Sequence, residues 1–285
     1  MRVLILGISG MLGSRVFRTF SENTKLEVYG TLRGADLLSN FRPDQHARIV
    51  TGLDVLNTAK LKEVISQLRP QVIINCVGLV KQLGSSKDPL VALPLNSMMP
   101  HQLVRIAADI GARVVHISTD CVFSGRKGHY IESDISDAED LYGLSKYIGE
   151  LNDFENAVTL RTSIIGHELS TNKSLIDWFL LQENQVKGFR KAIFSGLPTV
   201  ELAHVIEKFV IPNADLKGLY HVSAAAINKF ELLKLTAEVY GKKIEIVPDD
   251  ELVIDRSLNS SRFTAATGYK APAWPELIKK MYHSR

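Results

Sequence analysis

Long apolar runs are missing from this chain: none approaches the roughly 20 residues of a membrane span, and the opening run stops at Gly7 without a cleavable-signal pattern. That reading excludes a membrane role and leads us to expect a cytoplasmic protein. Cysteine is scarce. Cys76 and Cys121 are the two present, far apart and in neither a CxxC nor a Cys/His ligand spacing, so reduced thiols and no metal site are expected. An excess of one charge is missing too, since 34 Lys+Arg stand against 31 Asp+Glu for a net charge of +3. With no Lys/Arg block and no basic-aromatic interleaving, nucleic acid is not the expected partner, whereas a small anionic ligand is compatible. Internal repeats, low-complexity tracts and long linkers are also absent.

What is present is a globular composition, 285 residues with 45% apolar and 23% charged, enough for one large domain with a smaller lobe. Val3 to Leu6 is a short continuous apolar run, the pattern of a strand buried on both faces of a parallel sheet. Helix Met11 to Ser21 follows. The alternation continues through strands "LEVYGTL", "ARIVTGLDV", "PQVIINCVG", "ARVVHISTD" and "AVTLRTSII", with helices at Thr58 to Leu68, Pro100 to Ile110 and Leu141 to Phe154. This predicts an α/β fold, a Rossmann-type doubly wound parallel sheet, with a smaller C-terminal substrate-binding lobe. Residues 1–165 form the expected dinucleotide-binding domain, rejoined by about 193–223, and 166–285 form mainly the lobe, with helices near Leu175 to Leu181 and Lys229 to Tyr240, a strand "KIEIVP" and a last helix after Pro275.

"GISGMLG" places Gly7, Gly10 and Gly13 between the first strand and its helix, where glycine permits a tight turn and lets the backbone approach a pyrophosphate. Gly7, Gly10, Met11, Leu12 and Gly13 are therefore candidate cofactor-binding residues. At the end of the second strand, where an acid would bind the ribose 2′-hydroxyl of NAD, the sequence reads "GTLRGAD". Arg33 there can pair with a 2′-phosphate, so NADP(H) is the expected cofactor, with NAD(H) as the alternative because Asp36 is near. Asp54, followed by Val55, closes the third strand and suits the adenine amino group.

"YGLSK" puts Tyr142 and Lys146 one helical turn apart on one face. Lysine beside the phenol is expected to favour the phenolate, and bringing a tyrosine from about 10 to near 7 requires roughly 4 kcal/mol. Just upstream, "HISTDCVFSG" ends a strand in Ser118-Thr119 and presents a hydroxyl at the sheet's carboxyl edge. His116 reads as a satisfied sheet histidine, and Trp178 and Phe179 as core. Arg161 at its strand end is a candidate for substrate phosphate or a structural residue.

Together "GISGMLG", "STDCVFSG", "YGLSK" and "TLRTSIIG" resemble the extended short-chain dehydrogenase/reductase superfamily, and within it the dTDP-4-dehydrorhamnose reductase family, over essentially the whole chain. The resemblance implies Thr119, Tyr142 and Lys146 as catalytic residues. It implies Cys76, Val77 and Gly78 as the loop beneath the cofactor, Asn96 as a cofactor contact, and Asp120 as a substrate contact. Two positions depart from the family pattern: Cys121 stands where tyrosine is common, and Ile164 where a substrate-contacting tryptophan is common. Lys81, in the divergent segment "NCVGLVKQLGSSKDP", is a candidate substrate contact or a surface residue. The implied activity is NAD(P)H-dependent reduction of a nucleotide-linked 4-keto-6-deoxysugar. Relatives such as the regulatory subunit of methionine adenosyltransferase imply the alternative of dinucleotide binding without redox turnover. Epimerisation or dehydration is less well matched, because dehydratases usually carry Thr-Asp-Glu where this chain has Cys121 after Asp120. A homodimer paired through the helices at Pro100 to Ile110 and Leu141 to Phe154 is permitted.

Overall fold

The computed structural model describes residues 1–79 and 87–285. Six parallel strands open the fold: β1 (Arg2–Leu6), β2 (Glu27–Thr31), β3 (Ile49–Val50), β4 (Val72–Asn75), β5 (Arg113–Thr119) and β6 (Ala157–Thr162). The chain then forms the short strands β7 (Ile164–Ile165), β8 (Gln185–Phe189), β9 (Ala192–Phe194) and β10 (Leu197–Pro198) before β11 (Gly218–His221). The last strands are β12 (Ile227–Asn228), β13 (Glu245–Asp249) and β14 (Ile254–Asp255). The large sheet has the order β11-β6-β5-β4-β1-β2-β3, every pair parallel. Its order reverses between β1 and β4, the switch point at which ligands bind beyond the carboxyl ends of the strands.

Period-two alternation supplies both faces. Val3, Ile5, Val72, Ile74 and Val115 join one core with residues of α1 (Met11–Ser21), while Leu4, Leu6, Ile73 and Val114 join a second with residues of α2 (Thr58–Leu68). Each fully buried Leu, Ile or Val contributes about 1.5–3 kcal/mol. The "ARIVTGLDV" segment is strand only at Ile49–Val50, because β3 is the open edge and pairs with β2 alone.

Two proline-containing stretches ahead of the expected Pro100 to Ile110 helix are also helical: α3 (Pro89–Ala92) has Pro89 in its first turn, and Leu93–Met98 is a π turn running into α4 (Met99–Asp109). Proline at the start of a helix costs no hydrogen bond. Helix α5 (Leu141–Ile148) closes on Gly149, earlier than Phe154, and this turns Glu150 into the interior. The remaining helices are α6 (Leu175–Leu181), α7 (Thr199–Val205), α8 (Lys229–Tyr240), α9 (Ser261–Thr267) and α10 (Trp274–His283). α7 and α10 contribute to the core on the α1 face. β8 pairs with β13, and β9 with β12 and β14, as small sheets beyond the carboxyl edge. Among the described residues no helix is long and apolar enough to cross a membrane.

Candidate active site

The glycine loop is built for close approach. Gly7 adopts φ +81°, a left-handed value, and a Cβ there would lie 2.8 Å from Val77 Cγ2, so a side chain is excluded twice. Ser14 N–H donates to Gly10 O, which leaves the N–H groups of Met11, Leu12 and Gly13 in the first helical turn without intrahelical acceptors. A helix of 11 residues begins here, and its N-terminus suits an anion. The Leu12 side chain belongs to the core, and its N–H, like the others of the first turn, points toward the helix N-terminus. These residues fit the pyrophosphate of a dinucleotide.

At the neighbouring strand ends, Arg33 is exposed and forms no hydrogen bond or ion pair among the described residues. Asp36 folds back toward Gly34. Asp54 is exposed, with Oδ1 accepting from Leu56 N–H at 3.0 Å, while Val55 is buried. Beyond β4, Asn75 Oδ1 accepts from Val77 N–H at 3.1 Å. Asn96 is buried in the π turn, where its Oδ1 accepts from Leu79 N–H at 2.9 Å and its Nδ2 donates to Ser145 Oγ at 3.0 Å. A Cβ on Gly78 would approach Asn96 Oδ1 at 3.3 Å and Lys146 Nζ at 3.8 Å, so Gly78, Asn96 and Lys146 share one corner. Cys76 also lines it, its thiol pushed up to about 12 by burial. Lys81 lies outside the described residues.

Thr119 ends β5, and its hydroxyl accepts from Cys121 N–H at 3.1 Å and donates to Asp120 Oδ1 at 3.2 Å. Tyr142, in the first turn of α5, sets its phenol near Thr119, close enough for the two to interact electrostatically. The approach is possible because Gly143 lies against Cys121 O, where a Cβ would collide with backbone. Asp140 caps α5 by accepting from Gly143 N–H at 2.8 Å. Lys146 Nζ donates to Ile117 O at 2.7 Å, and burial lowers its ammonium to about 8.

Lys146 alone does not lower the Tyr142 phenol. Burial raises it above the ordinary phenol value, with the neighbouring Cys121, Asp120 and Asp140 adding to the rise. At neutral pH Tyr142 is therefore a protonated phenol, the form a proton donor needs.

Arg161 does not reach a ligand site. It is buried, with Nε donating to Glu150 Oε1 and Nη2 to Glu150 Oε2, both at 2.7 Å. Ser118 Oγ donates to the same carboxylate at 2.7 Å, so the phosphate reading of Arg161 is corrected to a structural one. His116 is only half satisfied. Its Nδ1 accepts from Asn75 Nδ2 at 3.0 Å while Nε2 has no partner among the described residues, and burial holds the ring well below the usual histidine range.

Beyond Asp120 and Cys121 a cavity of about 370 Å³ opens between the sheet edge and the C-terminal elements. Ser163 and Ile254 flank it, Trp178, Phe189 and Phe194 give aromatic walls, and Lys187, Lys229 and Arg256 bring cations. Ile164 is not part of its lining; it packs against the core. Asp120 is buried here, which raises its carboxyl, while Arg256 and Lys229 pull it down.

The sequence model of the RmlD substrate binding domain matches residues 1–284. The chain belongs to this family. It is similar to methionine adenosyltransferase 2 subunit beta of Xenopus tropicalis, 32% identical over 251 residues that cover 84% of this chain and 72% of the relative. It is also similar to dTDP-4-dehydrorhamnose reductase of Aggregatibacter actinomycetemcomitans, 27% identical over 307 residues covering 98% of each. The fold is that of dTDP-4-dehydrorhamnose reductase from Bacillus anthracis in complex with NADP, with TM-score 0.81 at 22% identity over 100% of this chain and 99% of that one.

Within this RmlD-family fold, sequence reasoning missed part of the cavity wall. Trp178 is not core: it is 40% exposed and lines the cavity, whereas Phe179 one residue on is fully buried. Lys187, Lys229 and Arg256 were not singled out, since a lysine starting a helix reads as a solvated residue. Arg256 reaches back across the fold, with Nε donating to Phe123 O at 2.7 Å and Nη1 3.8 Å from Cys121 Sγ. Among the described residues no group of three or more His, Cys, Asp or Glu side chains is placed to hold a metal ion.

Proposed function

We propose that the protein is an NAD(P)H-dependent reductase acting on the ketone of a nucleotide-linked 4-keto-6-deoxysugar, as the printed names of its reductase relatives suggest. The observation that carries this reading is the protonated Tyr142 phenol set beside the Thr119 hydroxyl at the end of β5, next to a cavity of sugar-nucleotide scale. A nicotinamide dinucleotide bound along the glycine loop supplies the hydride. Met11, Leu12 and Gly13 N–H groups would hold its pyrophosphate, Asp54 its adenine amino group, and Arg33 a 2′-phosphate, which favours NADP(H). Thr119 and Tyr142 would orient the substrate carbonyl from one side and stabilise negative charge growing on its oxygen. Tyr142 gives its proton to that oxygen and is left as phenolate, which solvent reprotonates. Lys146, held by Ile117 O, would bind the nicotinamide ribose and stabilise the phenolate as it forms. Asp120 and Cys121 would meet the sugar.

This substrate class belongs with a cytoplasmic setting. Leu144, Tyr147 and Ile148, exposed along α5, supply a face for a homodimer, which light scattering would test. A second reading rests on the similarity to methionine adenosyltransferase 2 subunit beta: a dinucleotide-binding subunit without turnover. Incubation with NADPH and a panel of dTDP-, UDP- and GDP-linked 4-keto-6-deoxysugars separates the two. Loss of NADPH absorbance supports the reductase, and NADPH binding with no turnover on any member favours the subunit.

A further inference from the structure

The cavity lining carries three cations, and two of them already hydrogen-bond protein groups. Lys187 bonds Asp249 at 2.8 Å and Glu251 at 3.3 Å. Arg256 is committed to Phe123 O and lies against Cys121 Sγ. Lys229 differs. It begins α8, its Nζ stands 4.4 Å from the centre of the Phe194 ring, and it forms no hydrogen bond or ion pair among the described residues. It interacts electrostatically with Asp120 and Cys121 across the cavity.

Asp120 is the complement of Lys229. Its carboxylate accepts from Thr119 at 3.2 Å, and with two oxygens and about four lone-pair sites it retains capacity for a further donor. The cavity thus offers one donor and one acceptor that are close to neutral together, beside the aromatic and aliphatic side chains of Phe189, Phe194 and Ile254. A phosphate brought to Lys229 would meet the like charge of Asp120. A neutral group with an acceptor and a donor of its own would meet complementary partners, and Phe194 and Ile254 would cover its apolar end.

Resting on the reductase reading above, we propose that Lys229 and Asp120 are specificity-determining residues that select a sugar nucleotide bearing an acylamino substituent, with Lys229 donating to the amide oxygen and Asp120 accepting from the amide N–H. An acylamino group carries its acceptor and its donor on separate atoms and so can meet groups on two sides of the cavity at once, whereas the hydroxyl analogue has a single oxygen with which to meet both. Burial lowers the Lys229 ammonium to about 8, so it donates at neutral pH and gains by acquiring an acceptor.

The test is calorimetric binding to the NADP⁺-loaded protein, using UDP-N-acetylglucosamine against UDP-glucose and the matching dTDP-linked pair. These already carry a 4-hydroxyl, so turnover is not needed. The wild type is expected to bind the acetamido member about tenfold tighter in at least one pair, equivalent to about 1.4 kcal/mol. Lys229→Met should abolish that difference while NADP⁺ binding and thermal unfolding stay unchanged. If Lys229→Met fails that folding control, Lys229→Gln, which keeps an amide donor, should retain part of the preference. Equal affinities in the wild type would overturn the inference, as would a loss equal for both members, which would put the ammonium on the diphosphate. Binding of no member of either pair to protein that still binds NADP⁺ would overturn the nucleotide-sugar reading and this inference with it.

Discussion

The carboxyl edge of the sheet carries a buried lysine, Lys146, and the lobe side of the cavity a half-buried one, Lys229; both are lowered to about 8, and they are used differently. On the sheet side, Lys146 is fixed by Ile117 O at 2.7 Å, and the polar groups around it and behind the cavity bond one another: Thr119 to Asp120, Ser118 to Glu150, Arg161 to Glu150. On the lobe side, Lys229 rests on the Phe194 ring without a hydrogen-bonded partner among the described residues. Burial is the leading cause of both shifts. The difference lies in preorganisation: one wall is satisfied before any ligand arrives, as reaction chemistry requires, while the other leaves its donor for a ligand to complete.

That contrast can be broken most forcefully at the Glu150–Arg161 pair. Glu150→Ala leaves the Arg161 charge buried and unpaired and should cost about 3–5 kcal/mol in denaturant unfolding, whereas Lys229→Met should change stability by less than about 1 kcal/mol. Comparable losses would erase the distinction between the walls. Gly143→Ala comes next. Its Cβ would collide with Cys121 O and push α5 from Thr119, so turnover should fall about 10²-fold with NADPH affinity nearly unchanged; a loss confined to NADPH binding would contradict this.

A pH profile sharpens the comparison between the two lysines. Each is protonated below about 8 and loses its charge above it, so kcat should decline as pH rises through about 8. The decline should disappear in Lys146→Arg if that variant keeps measurable turnover, and persist in Lys229→Met. The smallest effect is expected at exposed Arg33: Arg33→Ala should reduce the preference for NADPH over NADH by about tenfold, measured by fluorescence titration, without affecting either cavity wall.

The sheet-side wall was largely legible because its signals are local. Gly7, Gly10 and Gly13 lie within one turn, and Tyr142 and Lys146 share a helix face, so spacing alone groups them. The lobe wall depends on contacts between distant segments: Arg256 meets Cys121 across 135 positions of sequence. Trp178 was misread for a related reason, since beside the buried Phe179 an aromatic residue reads as core until the facing β8 and β9 are known. Arg161 was legible as a strand-end arginine, but the early end of α5, which turns Glu150 inward, was not. The phenol of Tyr142 rises, against the expectation from its lysine neighbour, because burial and nearby acidic groups dominate.

The central claim is that the protonated Tyr142 phenol delivers the proton of a ketone reduction. It is tested most directly by single-turnover reaction of NADPH-loaded protein with the 4-keto sugar nucleotide that the panel selects, comparing wild type with Tyr142→Phe. The account predicts NADPH affinity within about twofold of wild type and NADPH oxidation slower by about 10²–10⁴-fold, the contribution typical of a positioned general acid. Oxidation at the wild-type rate in Tyr142→Phe would contradict it.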